Sequence, residues 1–173
     1  NDFISLLFYL GILTIKDMRG SGLVFEIPNY VIKIIYYEFF FELIQRRIDT
    51  RINTRAIEDA CYEVAYNNNF KLFITKVEDI LKGVSNRDYM KFDEKYIKLI
   101  FILLMNMSKQ YYIKSEYEVE GGYIDIFLKE QPPLKVNYQH LIEIKYIKKD
   151  DYNESVLKQK QEDARKQLIE YLN

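Results

Sequence analysis

Apolar residues recur at helical spacing through much of the first two thirds of the chain, and the pattern then changes to strands. Residues 3–10 form an apolar run that predicts a short helix. Residues 12–16 and 23–27 read as strands joined through Arg19-Gly20-Ser21-Gly22, a strong turn signal. Pro28 and Asn29 end the second strand and start a helix over about 30–47. The aromatic run Tyr36-Tyr37-Glu38-Phe39-Phe40-Phe41 in that helix predicts core or interface packing rather than a ligand cage. Helices follow over 54–66 and 70–81, with a break at Gly83 and 85–87. Another helix is predicted over 93–109, where Ile97, Ile100, Leu103, Leu104 and Met107 fall near helical spacing. Strands then read at 111–119, 123–129 and 138–147, the first two joined through Gly121-Gly122, and Pro132-Pro133 marks a loop. A last helix over 154–172 carries the stripe Leu157, Ala164, Leu168 and Leu172, with Lys158, Glu162, Asp163, Arg165 and Lys166 facing water.

Composition supports a folded domain with a buried core: 49% of the 173 residues are hydrophobic. A net charge of −1 provides no overall positive field, so any nucleic-acid contact has to come from a local patch. The single cysteine, Cys61, allows no intrachain disulfide, which fits a reducing compartment, and it reads as a small apolar helix residue rather than a reactive thiol. The start lacks a basic signal-peptide region, and without an initiating Met it reads as a piece of a longer protein. The most apolar run, 99–105, is too short and too closely flanked by lysines to span a bilayer. No phosphate-loop motif is present, which argues against ATP binding by that route.

The chemistry concentrates in the strands. Side chains alternate across a strand, so Glu143 and Lys145 share one face, while Ile142, Ile144 and Tyr146 share the other. Two charges on a strand otherwise rich in Ile and Leu make sense if they converge on something charged. Asp125, within Ile124-Asp125-Ile126-Phe127-Leu128, sits where Asp is otherwise disfavoured. If the two strands are neighbours, Asp125 and Glu143 can hold a hard divalent cation together. Lys145 can then stabilise charge on a phosphate or orient the attacking water. A lone Glu-Ile-Lys reads as a solvated ion pair; Asp125, the turn before it and the helix after it favour the site. His140 falls on the opposite strand face and reads as a packed or surface residue. Lys145, Lys148 and Lys149 form a basic cluster suited either to phosphates or to solubility. Glu116, Glu118 and Glu120 read first as exposed strand charges.

Asp125, seventeen intervening residues and then Glu143-Ile144-Lys145 resemble the PD-(D/E)xK nuclease superfamily. The order helix, hairpin, strand, helix is similar to its αβββα core. More narrowly, residues 8–15, 27–30, 122–126 and 141–145, with Gln167 and Tyr171 in the last helix, are similar to a bacterial family in which such a domain follows an AAA-ATPase-like domain. This likeness runs over nearly the whole chain. It implies an α+β fold with a restriction-endonuclease-like core at 91–173, a winged-helix-like segment at 1–50 that follows an ATPase domain, and a helical linker region at 51–90. It further implies that Asp125 and Glu143 are metal ligands for Mg²⁺ or Mn²⁺, with the backbone carbonyl of Ile144 as a third. Lys145 is then the catalytic lysine, Gln167 supports the site, and Glu94 is an additional acid, although Glu94 reads equally as a helix-start acid favoured by the macrodipole. The implied activity is phosphodiester hydrolysis, with DNA and the ATPase domain of the same protein as partners, in the cytoplasm and away from membranes. Tyr123 stands where the family often has Arg, two residues before Asp125. The superfamily's usual strand after the last helix is also missing, so either the core is truncated or a partner, such as a second copy in a homodimer, covers the sheet edge. A catalytically inactive nucleic-acid-binding or regulatory module, or an interaction domain docking through the aromatic helix, remains the alternative.

Overall fold

A computed structural model of the chain describes residues 2–47, 52–85, 93–120 and 122–171. The chain divides into two compact units, Asn1–Leu43 and Ile44–Asn173. The first contains helix α1 (Asp2–Tyr9), an antiparallel hairpin of β1 (Thr14–Arg19) and β2 (Gly22–Glu26), and most of α2 (Tyr30–Arg47). Gly20, with φ +61°, takes the left-handed conformation that the tight β1–β2 turn requires. The Asn29 side chain starts α2 by accepting from the Ile32 amide at 3.0 Å. The aromatic run of α2 is split: Tyr37 is buried, whereas Phe39 and Phe40 are exposed.

The second unit holds α3 (Thr54–Asn67), α4 (Lys71–Ser85), α5 (Glu94–Met107), β3 (Tyr111–Val119), β4 (Gly122–Glu130), β5 (His140–Ile142) and α6 (Glu154–Glu170). Side-chain caps from Asn53, Asp93 and Asn153 begin α3, α5 and α6. Every residue from Ile100 to Asn106 is buried, so α5 lies at the centre and packs on α3, α4 and β3. Helices α3 and α4 contribute Ile57, Val64, Phe73 and Ile80 to this core, and the sheet contributes Tyr111, Ile113, Ile124, Ile126 and Leu128. Gly83 does not break α4, which continues to Ser85; 86 and 87 of the expected break lie outside the described residues. One Gly at the end of a helix costs only about 1 kcal/mol relative to Ala. Among the described residues, no helix is long and apolar enough to cross a membrane.

The sheet is antiparallel, in the order β3-β4-β5. The pair Val119↔Gly122 closes the first hairpin, so Gly122 belongs to the strand, while Gly121 lies outside the described residues. The third strand is much shorter than the pattern predicted: its ladder covers only His140–Ile142, and Glu143 and Lys145 lie in the irregular segment just past its end. No fourth strand joins this sheet among the described residues. Helix α6 covers its neighbours lightly. Leu157, Ala164 and Leu168 are half-buried, the five charged residues assigned to the outer face are exposed, and Leu172 lies outside the described residues.

The approach to β5 is fixed by α3. The amides of Asn137 and Tyr138 both donate to the Ala65 carbonyl at 3.1 Å, and Asn137 Nδ2 donates to the Tyr66 carbonyl at 3.0 Å. These bonds satisfy carbonyls at the end of α3 that have no helical partner. His140 then packs its ring against Phe70, centroid to centroid 4.9 Å, with Nε2 3.2 Å from the Val64 carbonyl oxygen. Because that partner is an acceptor, Nε2 carries the hydrogen. Cys61 is buried, and burial pushes its thiol up to about 12, with Ser108 opposing and Glu58 adding to the shift. It is a packing residue.

Burial holds the His140 pKa below its ordinary value, and the Val64 carbonyl offsets this only in part. The unfolded chain therefore binds this proton at higher pH than the folded chain does. Stability from neutral His140 is complete above about pH 6.5 and falls as the pH drops below that value. His140→Phe keeps an aromatic ring in place without the titration. Urea unfolding followed from neutral to mildly acidic pH should show a shallower loss of stability in the variant than in the wild type. Equal slopes would place the titration elsewhere.

Candidate active site

Asp125 occupies the middle of β4, between the buried residues Ile124 and Ile126. The ladder is interrupted on both sides of it. Towards β3, pairing runs through Ser115↔Ile126 and Tyr117↔Ile124 and skips Glu116 and Asp125. Glu116 there has φ +52°, a left-handed conformation that costs a non-glycine residue about 1 kcal/mol or more. Strand alternation is lost at this point: the Tyr117 ring meets Phe127 at 5.4 Å and lies under the Lys114 ammonium. Towards β5, pairing ends at Ile126↔Ile142. Two residues further on, the Ile144 amide donates to Asp125 Oδ2 at 2.9 Å. A side-chain carboxylate thus takes up a main-chain amide where the predicted strand no longer pairs.

The same bond holds the Glu143-Ile144-Lys145 segment against Asp125. Although this segment is not a strand, Glu143 and Lys145 still lie together: Lys145 Nζ donates to Glu143 Oε1 at 2.7 Å. Lys145 also donates to Gln167 Oε1 at 2.8 Å, and Gln167 Nε2 donates to the Tyr171 hydroxyl at 2.8 Å. Burial disfavours the charged form of Lys145, but the Glu143 hydrogen bond and charge, with Asp125 and Glu94, outweigh it and raise its pKa. It is an ammonium at neutral pH. Gly122 lets Tyr171 close over the start of β4, since a Cβ there would lie 2.6 Å from the Tyr171 hydroxyl.

Each sequence-predicted residue now has a place. Asp125, Glu143, Lys145 and Gln167 form one hydrogen-bonded group joined through Ile144. Glu94, in the first turn of α5, lines a cavity of about 270 Å³ with Asp125, Lys95, Lys98, Glu116 and Tyr123. The Ile144 amide donates to Asp125 Oδ2. A second cavity, of about 210 Å³, opens beside Glu143 and Lys145 and is lined on the α6 side by Leu157, Lys160, Gln161 and Ala164. His140 belongs to the core packing and not to this group. Sequence reasoning missed Lys98. Its ammonium binds Asp125 Oδ1 at 2.9 Å, and the side chain is only 12% exposed. The available signal was its position one helical turn after Glu94, a spacing that ordinarily denotes a surface pair.

The donor set suits a hard cation in part. Among the described residues, no three His, Cys, Asp or Glu side chains form a cluster able to hold a metal by themselves. Asp125 and Glu143 instead each bind an ammonium. Glu143 Oε2, however, is buried with no hydrogen-bond partner among the described residues, and the Glu143 side chain is 5% exposed. A charged oxygen in that state is costly and marks a position at which a cation fits.

Residues 92–173 match the family described as the PD-(D/E)XK nuclease superfamily. That stretch holds the whole hydrogen-bonded group, and the first unit, α3 and α4 lie outside it. No curated protein and no solved structure matches the chain.

Two outcomes follow from these contacts. Lys145→Met leaves the Glu143 carboxylate buried without its partner and should destabilise the chain by about 1–3 kcal/mol. Adding Glu143→Leu should recover most of that loss, and urea unfolding of the two single variants and the double variant measures it. Purely additive losses would show that the two residues are not coupled. Gly122→Ala should displace Tyr171 and break its bond to Gln167, at a cost of about 1 kcal/mol. The same substitution should cost much less in a Tyr171→Ala background, where nothing remains to be displaced.

Proposed function

We propose that this domain hydrolyses nucleic-acid phosphodiester bonds, with DNA as substrate, using Mg²⁺ or Mn²⁺. The observation that carries the reading is the Asp125–Ile144 hydrogen bond, which brings Asp125 and the Glu143–Lys145 pair together while Glu143 Oε2 stays buried and without a hydrogen-bond partner among the described residues. The superfamily match over the same residues supports it.

Asp125 and Glu143 are the residues that would hold the cation, and Glu94 adds negative charge on the Asp125 side. The bound cation supplies Lewis-acid stabilisation of the phosphate and a more acidic water. Lys145 is positioned by Glu143 and Gln167, which take two of its three ammonium donors. The third can reach a phosphate oxygen as negative charge develops on it. Gln167, held in turn by Tyr171, keeps the ammonium from swinging away. Lys160 at the rim of the smaller cavity and the exposed Lys148 and Lys149 supply the local positive charge that the chain as a whole lacks.

Plasmid and single-stranded DNA incubated with Mg²⁺ or Mn²⁺ test this directly. Wild type should cleave, whereas Glu143→Gln and Lys145→Ala should each lose cleavage by at least about a hundredfold. Glu143→Gln should still fold, since it keeps the volume and removes only the charge. Full activity in Glu143→Gln would assign the chemistry elsewhere. No cleavage by the wild type of either substrate would favour a nucleic-acid-binding or regulatory module.

A further inference from the structure

We propose that Lys98 is a built-in competitor for the metal. Its ammonium occupies the cation position on Asp125, and it moves to Glu116 when a divalent ion binds. This inference rests on the metal-dependent reading above and adds to it a residue that sets how readily the ion enters.

Three observations carry it. Lys98 Nζ lies 2.9 Å from Asp125 Oδ1, and both side chains are largely shielded from water, at 12% and 17% exposure. At that distance and burial, the ammonium and an incoming dication cannot share Oδ1 without strong repulsion. The other oxygen, Oδ2, already accepts from the Ile144 amide, so an ion approaching Asp125 meets a donor on each oxygen while Lys98 stays. Lys98 has somewhere to go: Glu116 Oε1 is already 3.6 Å from Nζ, and the Glu116 side chain is 73% exposed. The left-handed backbone of Glu116, at the point where β3 fails to pair with Asp125, interrupts strand alternation next to the ammonium. A short swing of the flexible lysine chain exchanges one carboxylate for the other. It preserves charge pairing and moves the ammonium towards water.

Lys145 does not play this part. It is held by Glu143 and by the neutral Gln167, and the other carboxylate oxygen of Glu143 stays uncommitted. The two lysines of the site thus differ in role: Lys145 is fixed for the substrate, and Lys98 is displaceable.

Direct Mn²⁺ binding to the 173-residue chain tests the idea without any nuclease assay, by calorimetry or by the electron paramagnetic resonance of free Mn²⁺. Lys98→Met, which removes the competing charge and keeps the bulk, should bind Mn²⁺ about tenfold tighter than the wild type. Mn²⁺ should also raise its melting temperature by more. Glu116→Gln, which removes the alternative partner, should weaken Mn²⁺ binding several-fold in the wild type and have little effect in the Lys98→Met background. If Lys98→Met does not fold, Lys98→Gln, which retains a donor without charge, should shift affinity in the same direction. Unchanged or weaker Mn²⁺ binding on removal of Lys98, in a chain whose Asp125→Asn variant loses binding, overturns the competitor role and leaves the metal reading standing. Absence of Asp125-dependent Mn²⁺ binding in both wild type and Lys98→Met overturns the metal reading and this inference with it.

Discussion

A carboxylate in the middle of an otherwise apolar strand is the constraint around which this domain is arranged. At 17% exposure Asp125 needs strong donors, because a charged oxygen removed from water without them is far costlier than any local packing gain. The fold supplies two from different directions, the Lys98 ammonium of α5 and the main-chain amide of Ile144. One side chain thereby ties the central helix, the central strand and the segment after the last strand together. The cost appears as lost sheet structure: β5 ends early and β3 carries a left-handed residue opposite the same point. Pairing is given up locally so that a polar group can be held at a defined place.

Holding it there depends on register. The pairs Ile126↔Ile142, Phe127↔Leu141 and Leu128↔His140 continue in the direction that sets Glu143 opposite Asp125. A slip of one residue would turn Glu143 and Lys145 to the other face. A three-residue strand is too short to resist such a slip alone. The loop before it therefore matters: Asn137 and Tyr138 are fastened to the end of α3, Tyr111 donates to the Tyr138 carbonyl at 2.8 Å, and His140 is wedged among aromatic rings. The distant helix pair thus contributes to the site through position rather than chemistry.

This division explains what the sequence could and could not reveal. Helical periodicity and Asx caps are local, and α2, α3, α5 and α6 fall within a few residues of their predicted bounds. Alternation is equally local, and it set His140 away from Glu143 and Lys145, which pair with each other although they lie past the end of the strand. The premature end of β5 was not legible, because the apolar alternation continues to Ile147. At the end of the ladder a carboxylate 19 residues earlier captures the Ile144 amide, a tertiary event. Lys98 was hidden for the same reason. On a helix it looks like any solvent-facing lysine, and only the sheet brought against it makes it a partner of Asp125.

The charges around Asp125 also show how the fold accommodates shielded carboxylates. Asp125 and Glu143 would repel each other if left bare at this burial, and the two lysines remove that penalty. Yet the neutralisation is uneven. Asp125 has both oxygens engaged, whereas Glu143 keeps Oε2 buried and without a hydrogen-bond partner among the described residues. A site selected for stability alone would replace such an oxygen or give it a donor, since each buried unsatisfied polar atom costs on the order of 1–3 kcal/mol. In the proposed function, this oxygen beside a fixed ammonium is where a cation from outside the chain would be held. The same reasoning separates this cluster from the other polar contacts of the domain. The groups around Asn137, Tyr138 and His140 are hydrogen-bonded to the end of α3 and hold the fold, while Glu143 keeps one buried oxygen without a hydrogen-bond partner among the described residues.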